Sequence, residues 1–483
     1  MTFTTLGITA ELAANLAARN IHEPSEIQRL VIPALLRTSD EGSAAAKGHE
    51  AAVEDSMTDE SSAAAKGPAS SSSHLLFSSP TGTGKTLAYA LPLLRKLSRQ
   101  AGTEAFGAGL PSGESPAGSR QGFRQPGPEL LVLAPTYELA SQIKKEFDAL
   151  LPAAFGGILS GNAPAGDTIP PVPRAALVIG SAPLNRQIDS LKKLRPIVVV
   201  GNPARVLQLV RMKKLSLKAL RYLVLDEGDR LMADELFPET AELCRAAFPQ
   251  GTPPGPERPK VPGPEPSAGG NPALLAERRT VACSATFSAK NRERLFSLTP
   301  AARWEIITQK ENDILRKNIE HWAFFAEERE KLSLLCSFIA AVKPARTLVF
   351  TSRAGQVGRI VSRLQYRHLA AAGLWGDMDK KDRKAAVDGF RNGNIPILVS
   401  SDLAARGLDI DRISHIVALD VPESEETYIH RAGRTARAGK RGVMASFGGE
   451  EELRRLAKIE KKLGIAVYPK ELYGGRLCAP ETL

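Results

Sequence analysis

Cysteines, aromatic residues and long apolar runs are all scarce in this chain. Its four cysteines, Cys244, Cys283, Cys336 and Cys478, stand far apart, with no CxxC pair and no histidine cluster beside them. That spacing argues against a disulfide framework or a zinc site and suits a reducing compartment. Aromatic residues make up 5% of the chain, few for a carbohydrate-binding or sandwich-type protein. No run of 18 uncharged apolar residues occurs, so neither a spanning helix nor work at a membrane is expected. The first twenty residues hold one basic residue, Arg19, and no long apolar stretch, so a secretory signal or Arg-rich transit peptide is not expected there. The expected setting is intracellular and soluble. Cytoplasm and nucleus are both open, and a mitochondrion or plastid would need a natural start upstream.

Basic charge, glycine and proline are plentiful. The 483 residues carry 64 Lys+Arg against 53 Asp+Glu, a formal net charge of +11, and the excess is shared by residues 1–319 and 320–483. A polyanion suits such a surface. Three segments, about 38–73, 98–128 and 249–277, are rich in Ala, Ser, Gly or Pro and poor in large apolar groups. They cannot repay the entropy of ordering and read as disordered surface insertions. The first contains a short echo, SAAAKG at 43–48 and again at 62–67.

Elsewhere a short apolar run repeatedly stops at a small or polar cluster and is followed by a helix-like segment. The runs are Leu75–Phe77, Leu130–Ala134, Ile197–Val200, Tyr222–Leu225 and Thr280–Ala282, then Thr347–Phe350, Ile397–Val399 and His415–Leu419. Apolar runs without alternation suit strands buried on both faces, and strand–helix order gives a parallel α/β sheet. The polar stretch 307–318 reads as a linker between a first domain, 1–306, and a second, 319–483.

Ser79-Pro-Thr81-Gly82-Thr83-Gly84-Lys85-Thr86 follows the first of these strands and opens a helix. This is a phosphate loop: glycines turn backbone N–H groups inward, Lys85 reaches the β and γ phosphates, and the Thr86 hydroxyl ligates Mg²⁺. Asp226-Glu227-Gly228-Asp229 ends another strand, at the edge where such sheets bind ligands. Asp226 is placed to hold Mg²⁺, and Glu227 to orient the attacking water or take its proton. Together these residues describe a nucleoside triphosphatase.

In order along the chain, these segments resemble the DEAD-box family of ATP-dependent RNA helicases. The resemblance implies two tandem RecA-like domains that face each other, bind ATP with Mg²⁺ in the cleft and clamp RNA across the opposite side. Asn20 to Gln28 resembles the family's Q motif, with Phe3 as the upstream aromatic, Gln28 as the adenine reader, and Ile21 where an aromatic is usual. The acid motif has Gly228 for the usual Ala. Ser284-Ala-Thr286 resembles the motif that couples hydrolysis to strand separation, acting with Asp229 and His430. His430-Arg431-Ala-Gly-Arg434-Thr-Ala-Arg437 is the most specific match: Arg434 and Arg437 stand where the family has its arginine fingers. Asp409 stands at the position that contacts the ribose, and Asp402 at one in the interdomain network.

The RNA positions implied by the resemblance are Thr136, Gly156, Gly157, Pro203, Arg205, Ser352, Arg383, Ser401 and Arg406. Several neighbours depart from the family pattern: Tyr137 replaces an arginine, Asn202 a threonine, Ala204 a glycine and Lys380 a glutamine. Contacts of this kind go mainly to phosphate and ribose, so largely sequence-independent RNA binding is expected. The expected activity is ATP-dependent local unwinding of RNA or remodelling of RNA–protein complexes, with protein partners in such an assembly. An ATP-gated RNA clamp or scaffold with weak unwinding is the alternative, and a DNA helicase of the same superfamily the third reading. The mixed-charge tail from Glu450 to Leu463 reads as an amphipathic helix.

Overall fold

The computed structural model describes residues 1–37, 74–79, 82–106, 127–160, 173–248, 278–299, 303–308, 317–376, 378–405, 413–436 and 440–480. The first and third low-complexity segments, residues 107–126 of the second and 309–316 of the linker lie outside these described residues. So do Thr81, Arg406, Asp409 and Arg437. The chain divides into two compact units. The first comprises Met1–Phe77, Thr86–Cys283 and Phe287–Ile307; the second comprises Ser78–Lys85, Ser284–Thr286 and Thr308–Leu483.

The first sheet holds β1 (His74–Ser78), β2 (Leu130–Leu133), β3 (Ala175–Val178), β4 (Val198–Gly201), β5 (Tyr222–Asp226), β6 (Arg279–Ser284) and β7 (Trp304–Thr308), in the order β3-β4-β2-β5-β6-β1-β7. The pairs β2–β4, β2–β5, β3–β4 and β5–β6 are parallel. Alternate residues of each strand enter two different apolar clusters. Leu130, Val132, Tyr222 and Val224 join one face, and Leu131, Leu133, Leu223 and Leu225 the other. Because both faces are buried, both sets must be apolar, which is why these strands read as unbroken runs. Each fully buried leucine contributes about 1.5–3 kcal/mol of transfer free energy.

Residues before β1 complete the first core. Helices Ala10–Ala18 and Glu26–Leu36 bury Leu12, Leu16, Ile27, Val31 and Leu35, and Phe3 is buried with them, while Ile21 packs at the edge of that cluster.

The second sheet holds β8 (Ile319–Phe325), β9 (Thr347–Thr351), β10 (Ala371–Leu374), β11 (Ile397–Ser401), β12 (His415–Ala418), β13 (Gly442–Gly448) and β14 (Val467–Pro469), in the order β10-β11-β9-β12-β13-β8-β14. All of its pairings are parallel. Leu348, Phe350, Leu398 and Ile416 bury on one face, and Val349, Ile397, Val399 and Val417 on the other. The helix Glu450–Leu463 covers this unit through Leu456, Ile459 and Leu463, as its pattern predicts. A two-stranded antiparallel hairpin, β15 (Glu471–Tyr473) and β16 (Arg476–Cys478), follows β14.

Two boundaries differ from the sequence reading. The helix that opens at Lys85 runs to Phe106, so residues 98–106 are helical and not part of an insertion; polar side chains do not end a helix that meets no proline or glycine at its breaking point. Residues 307 and 308 close β7 and do not begin a linker. Strands β3, β7, β8, β10, β13 and β14 lie outside the runs read from sequence. Ala175–Val178 and Ala371–Leu374 are short and Ala-rich, and Gly442–Gly448 is interrupted by small residues.

Candidate active site

The loop after β1 is braced by its own side chains. Lys85, the first residue of its helix, donates from Nζ to the Ser79 carbonyl at 2.7 Å, and the Ser79 and Thr83 hydroxyls hydrogen-bond across the loop at 2.6 Å. The turns need glycine where φ is positive, +80° at Gly82 and +86° at Gly84. The Ser79 N–H donates to the carbonyl of Ser284 at the end of β6, at 3.1 Å. Ser79 stands where the general phosphate-loop pattern has glycine, and its side chain supplies this brace.

Asp226, the last residue of β5, is 3% exposed and accepts from three elements. The Tyr89 hydroxyl donates to Oδ2 at 2.8 Å; Cys283 Sγ, on β6, and the Glu227 N–H donate to Oδ1 at 3.3 and 2.9 Å. Burial, then the Asp226 charge beside it, holds the Tyr89 phenol well above its ordinary range, so it keeps its proton. Glu227 is left-handed, φ 50° and ψ 51°, a strained conformation for a residue with a Cβ and one that concentrates at functional sites.

Gly228 is explained by packing. A Cβ there would stand 2.7 Å from Cζ of Phe287. Asp229 is buried, and its carbonyl accepts from Asn291 Nδ2 at 3.2 Å. Ser284 is fully buried, and Thr286 follows it beyond the strand end.

Gln28 is 3% exposed and forms a capping box. Its Oε1 accepts the Ser25 N–H at 2.9 Å, while the Ser25 side chain accepts the Gln28 N–H.

Thr136 precedes the helix Tyr137–Ser160, and its hydroxyl accepts the Leu139 N–H at 3.3 Å; Tyr137, the first residue of that helix, is 48% exposed. Gly156 and Gly157 fall inside the same helix, whose backbone N–H groups point along its axis toward preceding carbonyls. Asn202 Nδ2 donates to the Ala134 and Pro135 carbonyls, each at 3.4 Å, ahead of the helix that Pro203 begins. Arg205, on that helix, donates to the Gly180 and Ala182 carbonyls at 2.7 and 3.2 Å, and Gln187 bonds Ile179 and Ala182 from the other side. The loop 179–182 is thereby pinned by two side chains.

In the second unit Arg431 is the organising residue, one that sequence reading did not single out although it lies inside the His430–Arg437 segment. It is 1% exposed. Its Nε and one Nη donate to the two carboxylate oxygens of Asp402 at 2.6 Å each, and it also donates to the Asp420 carbonyl at 2.6 Å and the Ser352 hydroxyl at 3.3 Å. Its guanidinium lies over the Phe350 ring, 5.3 Å from the centroid. Asp402, expected in an interdomain network, is thus engaged within its own unit. Arg434 is buried one turn further on, and His430 closes the helix Glu425–Ala432. Asp420 Oδ2 accepts the Ser352 N–H and the Thr351 hydroxyl. Ser401 is buried at the end of β11; Arg383, on the helix Lys380–Asn392, donates to the Ala404 carbonyl at 2.9 Å.

A carboxylate and a hydroxyl, Asp226 and Thr86, are joined through Tyr89, which hydrogen-bonds both. Hard oxygen donors of this number fit a magnesium ion whose remaining ligands are phosphate oxygens and water.

The DEAD/DEAH box helicase family matches residues 60–295, and the helicase conserved C-terminal domain residues 330–439. The chain is 30% identical over 401 residues to the DEAD-box ATP-dependent RNA helicase CshC of Bacillus cereus, covering 83% of this chain and 84% of that one. It is 31% identical over 396 residues to the ATP-dependent rRNA helicase RRP3 of Gibberella zeae, covering 81% and 67%. In fold it resembles S. cerevisiae Dbp5 bound to RNA and ADP BeF3, with a TM-score of 0.67 and 22% identity over 97% of this chain and 95% of that one. A phosphate loop after β1, an acid motif after β5 and these relatives agree, and the chain belongs to the DEAD-box family of ATP-dependent RNA helicases.

Proposed function

We propose that the protein couples Mg²⁺-dependent ATP hydrolysis to local opening of short RNA duplexes or to remodelling of RNA–protein assemblies. The observation that carries this is Asp226, buried at the end of β5 and fixed by three donors, with Glu227 beside it in a strained backbone position. Thr86 and Asp226 hold the magnesium, which when bound neutralises phosphate charge. Lys85 and the loop amides hold the phosphates, and Glu227 orients the attacking water. Arg434 and Arg437 supply guanidinium charge to the transferred phosphoryl group, a contribution of about 10³–10⁵ in rate in related phosphoryl-transfer enzymes. Gln28 and Asp409 read adenine and ribose. The RNA residues act on phosphate and ribose, so binding weakens with salt and tolerates sequence.

A clamp with weak unwinding is the second reading. It is favoured by Tyr137, an exposed phenol where the family has a cation, and by Arg205, whose guanidinium is engaged with two carbonyls.

The test is ATP turnover by wild type and Glu227→Gln, with and without single-stranded RNA or DNA of one sequence, at two salt concentrations. RNA-specific, salt-sensitive stimulation that Glu227→Gln abolishes is expected, followed by duplex unwinding. Turnover indifferent to RNA rejects the coupling; RNA-stimulated turnover without strand release selects the clamp.

A further inference from the structure

Thr86 and Tyr89 lie three residues apart on the helix Lys85–Phe106, so their side chains rise from one face. Tyr89 is fully buried, and its hydroxyl meets Asp226 Oδ2 at 2.8 Å. The Thr86 side chain hydrogen-bonds the same phenol oxygen. The three groups form a line from the start of the helix to the end of β5.

Chemistry fixes the direction of this line. An ionised carboxylate only accepts, so the single Tyr89 proton goes to Asp226. The phenol oxygen is then an acceptor for Thr86, and the Thr86 hydroxyl proton turns toward Tyr89. Its lone pairs are left facing away from the phenol. A threonine held in this way offers a cation an oxygen whose own proton is out of the way. Phenylalanine would fill the same apolar space among Leu87, Ala90 and Leu93; the hydroxyl serves only the Thr86–Asp226 pair.

We propose that Tyr89 is a positioning residue for the divalent-cation site, its hydroxyl joining Thr86 to Asp226 and setting the proton direction that leaves both oxygens ready for the ion. This rests on reading Thr86 and Asp226 as the protein ligands of the magnesium. Cys283 also donates to Asp226, but to Oδ1 and with no link to Thr86, so it provides a control that loosens the carboxylate without breaking the line.

The experiment is equilibrium binding of a fluorescent ADP analogue by the full chain, titrated with Mg²⁺ or held in EDTA, for wild type, Tyr89→Phe and Cys283→Ala. Each variant is first checked by thermal unfolding. Wild type should bind more tightly with Mg²⁺. Tyr89→Phe should match it in EDTA and need about tenfold more Mg²⁺ for the same gain, the size of one charge-assisted hydrogen bond. Cys283→Ala should keep the wild-type midpoint. An unchanged midpoint in Tyr89→Phe, or an equal shift in Cys283→Ala, overturns the proposal. A wild type indifferent to Mg²⁺ overturns instead the reading of Thr86 and Asp226 as ligands, and with it this one. Should Tyr89→Phe unfold, Thr86→Val reports the same line from its other end: the Mg²⁺ gain should vanish while binding in EDTA persists, and a retained gain overturns the proposal.

Discussion

Arg431 and Asp402 meet as a two-pronged pair, both contacts at 2.6 Å, with the guanidinium wholly enclosed. Removing the carboxylate leaves a buried cation with only the Asp420 carbonyl, the Ser352 hydroxyl and the Phe350 ring. Breaking buried pairs costs about 3–5 kcal/mol, and these remaining partners place Asp402→Ala near the lower figure. Urea unfolding followed by fluorescence should show the loss. Arg431→Lys should lose nearly as much, because an ammonium cannot reproduce the fork.

Gly228 and Phe287 fit each other. Installing the family's usual alanine at 228 drives a methyl against the ring edge at 2.7 Å, and overpacking of this kind costs about 1–3 kcal/mol. Gly228→Ala should lower the melting temperature and ATP turnover together. Adding Phe287→Leu should recover part of both, a coupling that a double-mutant cycle measures directly.

Tyr137 begins its helix in the open. Tyr137→Arg should leave unfolding free energy within about 0.5 kcal/mol of wild type. RNA affinity should rise, and the slope of log K against log salt should steepen by about one unit. Filter binding at three salt concentrations checks both. An unchanged slope would mean that no phosphate lies within reach of this position.

His74 makes stability depend on pH. Its Nδ1 accepts the Thr280 N–H at 3.2 Å and its ring lies edge-on to Trp304, so the folded state needs it neutral. Burial first, and the Arg279 charge second, push it down to about 4. An unfolded histidine titrates near 6.5, so between these values the unfolded chain binds the extra proton. The stabilisation is therefore complete above about pH 6.5 and lost as pH falls toward 4. Wild type should lose on the order of 2 kcal/mol between pH 7 and pH 5. His74→Gln, which keeps an acceptor and cannot charge, should flatten that slope in urea titrations.

The strands that carry nucleotide residues were legible in the sequence because double-sided burial leaves unbroken apolar runs such as Leu130–Leu133 and Tyr222–Leu225. Strands made of small residues, like Ala371–Leu374, carry no such signal, since alanine suits helix, strand and loop alike. Motif residues were legible where chemistry demands a fixed spacing, as in Gly82, Gly84, Lys85 and Thr86. Their supports were not. Tyr89 reads as one more apolar helix residue until its hydroxyl is seen on Asp226, and Arg431 reads as one of several arginines until its partner, 29 residues away, is beside it. Tertiary contacts of this kind have no local pattern.

The Ser25–Gln28 box has a consequence for how mutants at the N-terminus are read. The side chain expected to recognise adenine is also the one that starts the helix Glu26–Leu36, whose Ile27, Val31 and Leu35 are part of the first core. Base recognition and the folding of the opening segment therefore share one oxygen atom. Any substitution at Gln28 changes two equilibria together, and nucleotide occupancy becomes a thermodynamic clamp on a helix that lies some fifty residues before the phosphate loop.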